Sequence, residues 1–232
     1  YLRGQYMITS RSYLIDHAEY DKKHNFGSLS EIQSYMKKYD ATEQFSSYNK
    51  KLQNSKLKNL QSALRYLFSD NSNVKTHFTY YGRTKFAVLR ITLVNEIKKK
   101  YREYFINKNL IRNLENKKPF IYFPLQPDPE RSLLIGGALF TDQIKVITKI
   151  AKSLPDGYNL YVKEHHQMQH RGWRSISYYK QIMSLPNVTL IHPYVKFDHI
   201  IKRSSLVVAI NSTSALEAGF YNKPSITMAK QE

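Results

Sequence analysis

The chain has 232 residues, 41% of them hydrophobic and 23% charged, with no cysteine and a formal net charge of +18. This balance fits one large or two modest folded domains and excludes a disordered chain. It also excludes disulfides and thiolate metal sites, and no apolar run reaches the roughly 18 residues of a membrane span. The charge is uneven: residues 1–118 carry 23 Lys/Arg against 10 Asp/Glu, net +13, and residues 119–232 carry net +5. Such a field attracts polyanions, anionic headgroups or phosphorylated substrates. The first residue is Tyr1 rather than Met and no signal-peptide pattern is visible, so a piece of a longer chain is expected.

Residues 1–118 read as a mainly helical, basic region. Leu29, Ile32, Met36 and Tyr39 recur at helical spacing behind a cap at Ser28 or Ser30, and Leu57, Leu60, Leu64 and Leu67 repeat the pattern. A third helix is expected from Thr84 to Phe105. Its buried stripe would be Phe86, Leu89, Leu93, Ile97, Tyr101 and Tyr104, with Lys98, Lys99, Lys100 and Arg102 crowded around it. Polar connections such as "FSDNSNVKTH" separate these segments.

From Pro119 the grammar changes. Strand patterns "FIYFPL", "NLYVKEH", "VTLIHP", "LVVAIN" and "PSITM" alternate with helix patterns "DQIKVITKIAKSL", "SISYYKQIMSL", "FDHIIKRS" and "STSALEAGFYN". Five short apolar strands separated by helices require right-handed crossovers and a parallel sheet covered on both faces. Residues 119–232 are therefore expected to form a doubly wound, Rossmann-like α/β domain. The sequence stops just after the fifth strand, so the domain is expected to continue.

In such a sheet ligands bind where loops leave the carboxyl ends of the strands. The first loop carries Gln126, Asp128, Glu130 and Arg131, then Gly136-Gly137; the second carries Lys163, Glu164, His165, His166, His170, Arg171 and Arg174. The fourth is Asn211, Ser212, Thr213 and Ser214, followed by Glu217 one turn into a helix. Backbone N–H groups and hydroxyls at such a helix start form a nest for phosphate, and Glu217 could accept from ribose hydroxyls. The competing local reading is a capping box, since Ser214-x-x-Glu217 has that spacing. In the second loop His165 and Lys163 suit the same phosphate, with Arg171 and Arg174 as further anion contacts. A metal site from Glu164, His165, His166 and His170 competes, and is disfavoured if the strand runs on and points His165 and His166 to opposite sides. No Walker, Gly-x-Gly-x-x-Gly or Gly-x-Ser-x-Gly pattern is present. No nucleic-acid motif accompanies the charge, and Tyr101 and Tyr104 fit a core stripe better than a stacking platform.

The segments "FIYFPLQPDPERS", "IGGALFTDQ", "AKSLPDGYNLYVKEHH", "YYKQIMSLPNVTLI" and "VVAINSTSALEAGFYNKPSI" resemble the capsular polysaccharide biosynthesis family, which includes bacterial Kdo transferases. Their order is also similar to polysialyltransferases and teichoic-acid glycerophosphotransferases. The resemblance spans about residues 100–229. It implies the C-terminal half of a GT-B glycosyltransferase, cytoplasmic or peripheral at the inner face of the membrane, with a nucleotide-sugar donor and a glycan or glycolipid acceptor. It implies no cofactor or metal and no specific nucleic-acid partner. By that resemblance His165 meets the donor phosphate, Asn211, Ser212, Thr213 and Ser214 form its cradle, and Glu217 holds the ribose. Gln126 and Pro127 match the strand-one loop, with Lys163 beside the phosphate and Glu130 or Asp128 as base. Two positions depart from the family pattern: His166 stands where Pro usually follows the His, and Asn211-Ser212 replaces a Gly-Thr-type start. Polyol-phosphate transfer, sugar-nucleotide epimerisation and a catalytically silent member are the alternatives.

Overall fold

The structure, a computed structural model, describes residues 28–38, 56–68, 84–114 and 118–229. The chain divides into two compact units, Tyr1–Tyr39 and Asp40–Glu232. In the first, helix α1 (Leu29–Lys38) is capped by Ser28, whose Oγ accepts the Glu31 N–H at 3.3 Å. Leu29 is exposed and Ile32 half-buried; the Met36 side chain and Tyr39 lie outside the described residues, as do the Leu57 side chain and most of the 68–77 connection.

The second unit opens with α2 (Lys56–Phe68) and α3 (Lys85–Asn109), the latter capped by Thr84 Oγ1, which accepts the Ala87 N–H at 3.2 Å. The helix forms where expected, but its inward face is not the expected stripe. Ile97, Tyr101 and Tyr104 are 59%, 66% and 62% exposed, and Phe86 and Leu93 also face out. The buried positions are Val88 and Ile106, followed by Leu110 just past the helix. Between them Arg102 turns inward, and its Nη1 donates to the carbonyls of Gly172 and Trp173 at 3.0 and 2.9 Å. The inward face carries a cation because two carbonyls of a tight turn need a donor there. Apolar spacing alone does not reveal that need.

Five strands follow: β1 (Phe120–Pro124), β2 (Asn159–Lys163), β3 (Val188–Ile191), β4 (Leu206–Ala209) and β5 (Ser225–Thr227). They pair in parallel in the order β3-β2-β1-β4-β5. Helices α4 (Gln143–Lys152), α5 (Ile176–Met183), α6 (Phe197–Arg203) and α7 (Ser214–Phe220) supply the crossovers. Alternating strand residues serve two cores, which is why β1 to β4 are mostly apolar, while the edge strand β5, Ser-Ile-Thr, is exposed. On one side Phe123, Leu160 and Val162 pack with Ile106, Val146, Ile147, Tyr179 and Ile182. On the other, Phe120, Tyr122, Tyr161 and Val207 pack with Ile200, Ile201 and Ala218. The open edge of β3 is partly covered where Ile111 bridges Ile191.

The order is that of a doubly wound, Rossmann-like sheet. From β1 the chain moves outward through β2 to β3, then returns to place β4 on the other side of β1. The winding reverses between β1 and β4, so their carboxyl ends flank a crevice, the usual ligand position in such sheets.

Candidate functional site

The loop after β4 is held by short local bonds. Helix α7 starts at Ser214 with Thr213 as its N-cap residue, whose side chain makes no cap bond. Ser212 Oγ accepts the Ser214 N–H at 3.3 Å and donates to Ser214 Oγ at 3.2 Å. Thr213 Oγ1 donates to Glu217 Oε1 at 3.0 Å. The capping box suggested by the sequence does not form, because Ser214 is already inside the helix and Ser212 does the capping. The N–H groups of Ala215 and Glu217 bond to the carbonyls of Ser212 and Thr213. Among the described residues, that leaves the Thr213 N–H without a partner.

The loop after β1 crosses this one. One wide helical turn, Ser132–Gly136, leads into a short tight turn at Ala138–Phe140. Close approach constrains both glycines, Gly137 more strictly than Gly136, where only the tip of the Asn211 side chain would have to give. A Cβ on Gly136 would lie 2.8 Å from Asn211 Nδ2, and one on Gly137 would lie 2.9 Å from Ile210 Cγ2 and 3.2 Å from the Leu133 carbonyl oxygen. Asn211 Nδ2 in turn reaches the Ser132 carbonyl at 3.4 Å. At the root of the loop the Gln126 N–H donates to Gln143 Oε1 at 2.8 Å, and Gln143 Nε2 donates back to the Gln126 carbonyl at 3.2 Å. Gln126 is 5% exposed, and its carboxamide, which makes no hydrogen bond among the described residues, keeps access to solvent. Pro127 follows, also buried.

The loop after β2 is built around Glu164, which is 0% exposed. Its Oε2 accepts from Arg174 Nε at 3.0 Å and from Tyr179 Oη at 2.8 Å, and its Oε1 accepts the His165 N–H at 2.6 Å. Arg174 also donates to the Gln126 carbonyl and lies 3.8 Å from Asp128 Oδ2. Arg171 donates to the Pro129 carbonyl. The two arginines expected as anion contacts therefore strap the β1 loop to the β2 loop. Tyr179 has no role in the sequence reading and Glu164 only that of a ligand in the disfavoured metal site; a carboxylate flanked by Lys and His at a strand end was the available signal for its structural role.

Strand β2 ends at Lys163, so alternation does not carry on through His165 and His166. Their rings stack at 4.5 Å between centroids instead of pointing apart. His165 Nδ1 accepts the Gln167 N–H at 3.3 Å, which leaves the ring proton on Nε2. Burial, reinforced by His166, Lys163, Arg174 and Arg171, lowers the His165 pKa to about 3. The ring is thus a neutral hydrogen-bond donor. Lys163 is buried at the strand end. His170 is exposed, and its pKa is lowered by desolvation and by Lys99 of α3. Among the described residues no cluster of three or more His, Asp or Glu side chains could hold a metal ion. Asp128 lies beside Arg174, while Glu130, half-buried in the same loop, has no side-chain partner among the described residues.

Residues 30–230 match the profile of a family described as capsule polysaccharide biosynthesis proteins. The chain belongs to that family. The resemblance read from the five sequence segments is borne out. Among solved structures, Thermosulfurimonas dismutans KpsC, a beta Kdo 2,7 transferase, aligns with a TM-score of 0.41 at 16% identity, over 74% of this chain and 47% of that one. The chain thus spans just under half of that protein's length. No curated protein matches the sequence. At the two positions that the sequence reading marks as unusual, Asn211 fills the space above Gly136 and tethers the β1 loop, and His166 stacks on His165. No helix among the described residues is long and apolar enough to cross a membrane.

Proposed function

We propose that the protein is a glycosyltransferase that moves a sugar from a nucleotide-activated donor to a surface or capsular glycan or glycolipid. In this reading residues 119–232 are the donor-binding half of a GT-B enzyme. The basic region 1–118 faces the acceptor or an anionic membrane surface, at the inner face of the membrane. The observation that carries the reading is the polar loop after β4, whose Thr213 N–H has no partner among the described residues and which leaves the sheet beside the β1 loop, where the winding reverses. Ligands of such sheets bind at that reversal. Family membership supplies the chemical context.

The donor diphosphate or phosphate would take hydrogen bonds from the Thr213 N–H, the hydroxyls of Ser212, Thr213 and Ser214, and His165 Nε2–H, with Lys163 supplying charge. Glu217 would hold the ribose, and Gln126 and Asn211 would line the crevice. Glu130 serves better than Asp128 as base, since Asp128 lies 3.8 Å from the Arg174 guanidinium while Glu130 has no side-chain partner among the described residues. In the transfer step Glu130 takes the proton of the acceptor hydroxyl. The acceptor oxygen bonds to the anomeric carbon, and the bond from that carbon to the phosphate oxygen breaks. The cradle stabilises the charge that develops on the leaving nucleotide, so the reading calls for no metal or other cofactor.

A thermal-shift screen with CMP, CDP, UDP and GDP tests the cradle, because a ligand that binds only the folded state raises its stability. At least one nucleotide is expected to raise Tm, and Glu217→Ala to abolish the rise. Nucleotide release from CMP-Kdo, CMP-sialate or a UDP-sugar in the presence of acceptor is the expected reaction. Release from CDP-glycerol alone would instead mean polyol-phosphate transfer, and isomerisation of a UDP-sugar without release would mean epimerisation. Binding with no turnover of any donor would mean a catalytically silent protein.

A further inference from the structure

Outside the crevice, the segment at residues 112–114 and helix α6 enclose a groove of about 710 Å³. Its lining includes Arg112, Leu114, Val195, His199, Lys202 and Arg203. None of these belongs to the loops after β1, β2 or β4. A space of a few hundred cubic ångströms is the size that encloses a ligand of two or three sugar rings.

The cations of this groove are held in a particular way. Arg112 Nη2 donates to Asn107 Oδ1 at 2.7 Å and lies 2.9 Å from His192 Nε2. His192 is 1% exposed, and burial, with Arg112 and Lys163 nearby, lowers its pKa to about 4. Both partners are neutral near neutral pH, so the guanidinium is positioned without being neutralised. Lys202 is oriented by Asp198 at 2.9 Å and by the Tyr221 ring at 5.2 Å. Arg203 has no hydrogen-bond or ion-pair partner among the described residues, and no acidic residue is among the described lining. Proteins usually pair cations with carboxylates where they are to be silenced; fixed but unpaired guanidiniums suit carboxylate or phosphate.

The shape narrows the ligand. A bilayer is flat and meets protruding basic and apolar side chains, whereas these cations line a concavity whose floor includes the buried Leu114. Single-stranded nucleic acid needs aromatic platforms for successive bases, and the described lining contains no Phe, Tyr or Trp. We propose that this groove binds an acidic saccharide, its carboxylate or phosphate groups meeting Arg112 and Arg203 and its sugar CH faces resting on Leu114 and Val195. That the saccharide is the acceptor chain rests on the function proposed above; binding itself does not.

The test is calorimetric titration of the full chain with trigalacturonate and with maltotriose, a neutral trisaccharide. Arg203→Glu, Arg112→Gln and, as a remote charge reversal, Lys152→Glu on the exposed end of α4 are titrated alongside. Trigalacturonate is expected to bind and maltotriose not. Arg203→Glu and Arg112→Gln should each weaken trigalacturonate roughly tenfold, with Lys152→Glu unchanged. Equal weakening by Lys152→Glu would reduce the effect to bulk charge and overturn the site, as would equal binding of maltotriose or no binding of trigalacturonate. Arg203-dependent binding to phosphatidylglycerol vesicles without saccharide binding would overturn it in favour of a lipid surface. The nucleotide-induced Tm shift is read on the same samples. Saccharide failure with an intact shift rejects this groove alone, and a missing shift with saccharide binding rejects the donor reading alone.

Discussion

The loops after β2 and β4 leave the same edge of the same sheet and are both dense in polar residues, yet they are built in opposite ways. The β2 loop is closed on itself. Glu164 is fully buried and bonded by Arg174, Tyr179 and the His165 N–H, and Arg171 and Arg174 reach across to carbonyls of the β1 loop. Apart from Asn211 Nδ2, which reaches the Ser132 carbonyl, the β4 loop is tied by hydroxyl contacts of about three ångströms within the six residues 212–217. The difference teaches that local charge density does not identify a binding loop. Arginines near a strand end act as struts when a buried carboxylate or carbonyls lie within their reach; Arg174 is buried in that role, whereas Arg171 stays exposed.

Removing a strut should have the largest effect. Arg174→Ala leaves Glu164 buried without its cation, and such losses typically cost about 3–5 kcal/mol; urea denaturation should show it, and a loss below about 1 kcal/mol would mean the β2 loop is not locked. Gly137→Ala comes next, since its Cβ would press on Ile210 and the Leu133 carbonyl. Overpacking of this kind costs about 1–3 kcal/mol, again read from denaturation. On the β4 side the comparison predicts the reverse pattern. Thr213→Ala should change stability by less than about 0.5 kcal/mol while weakening the nucleotide-induced Tm shift; a large stability loss would make this loop structural too.

A pH slope follows from the buried histidines. With the His165 pKa lowered to about 3 in the folded chain, the unfolded chain takes up a proton below about pH 6.5 that the folded chain refuses. Stability should therefore fall as pH drops from about 6.5 toward 3, with His192 acting in the same direction. His165→Asn should make the slope shallower, and an unchanged slope would mean the ring is protonated in the folded state.

Much of the α/β unit was legible in the sequence. All five strands and four crossover helices lie within the segments marked by apolar runs and Pro, Asn or Gly stops, because strands covered on both faces, as β1 to β4 are, stay mostly apolar; the edge strand β5 is exposed. Helix α3 was legible as a helix and misread as a surface. Its apolar spacing pointed to Ile97, Tyr101 and Tyr104, but tertiary contacts turned Arg102 and Ile106 inward. The glycine pair was visible as a pair, while its reason, contact with Ile210 and Asn211, needed the fold.

By itself the sequence determined the order of elements, the parallel sheet, the family and the loops in which chemistry could lie. These follow from short-range periodicity and from the chirality of βαβ crossovers, which a linear pattern encodes. Only the tertiary structure decided which polar groups in those loops remain available. Burial and partnership are relations between residues far apart in the chain. Glu164 with Arg174, Gln126 with Gln143, and Arg112 with His192 are separated by 10, 17 and 80 positions, and no local pattern records which of them meet.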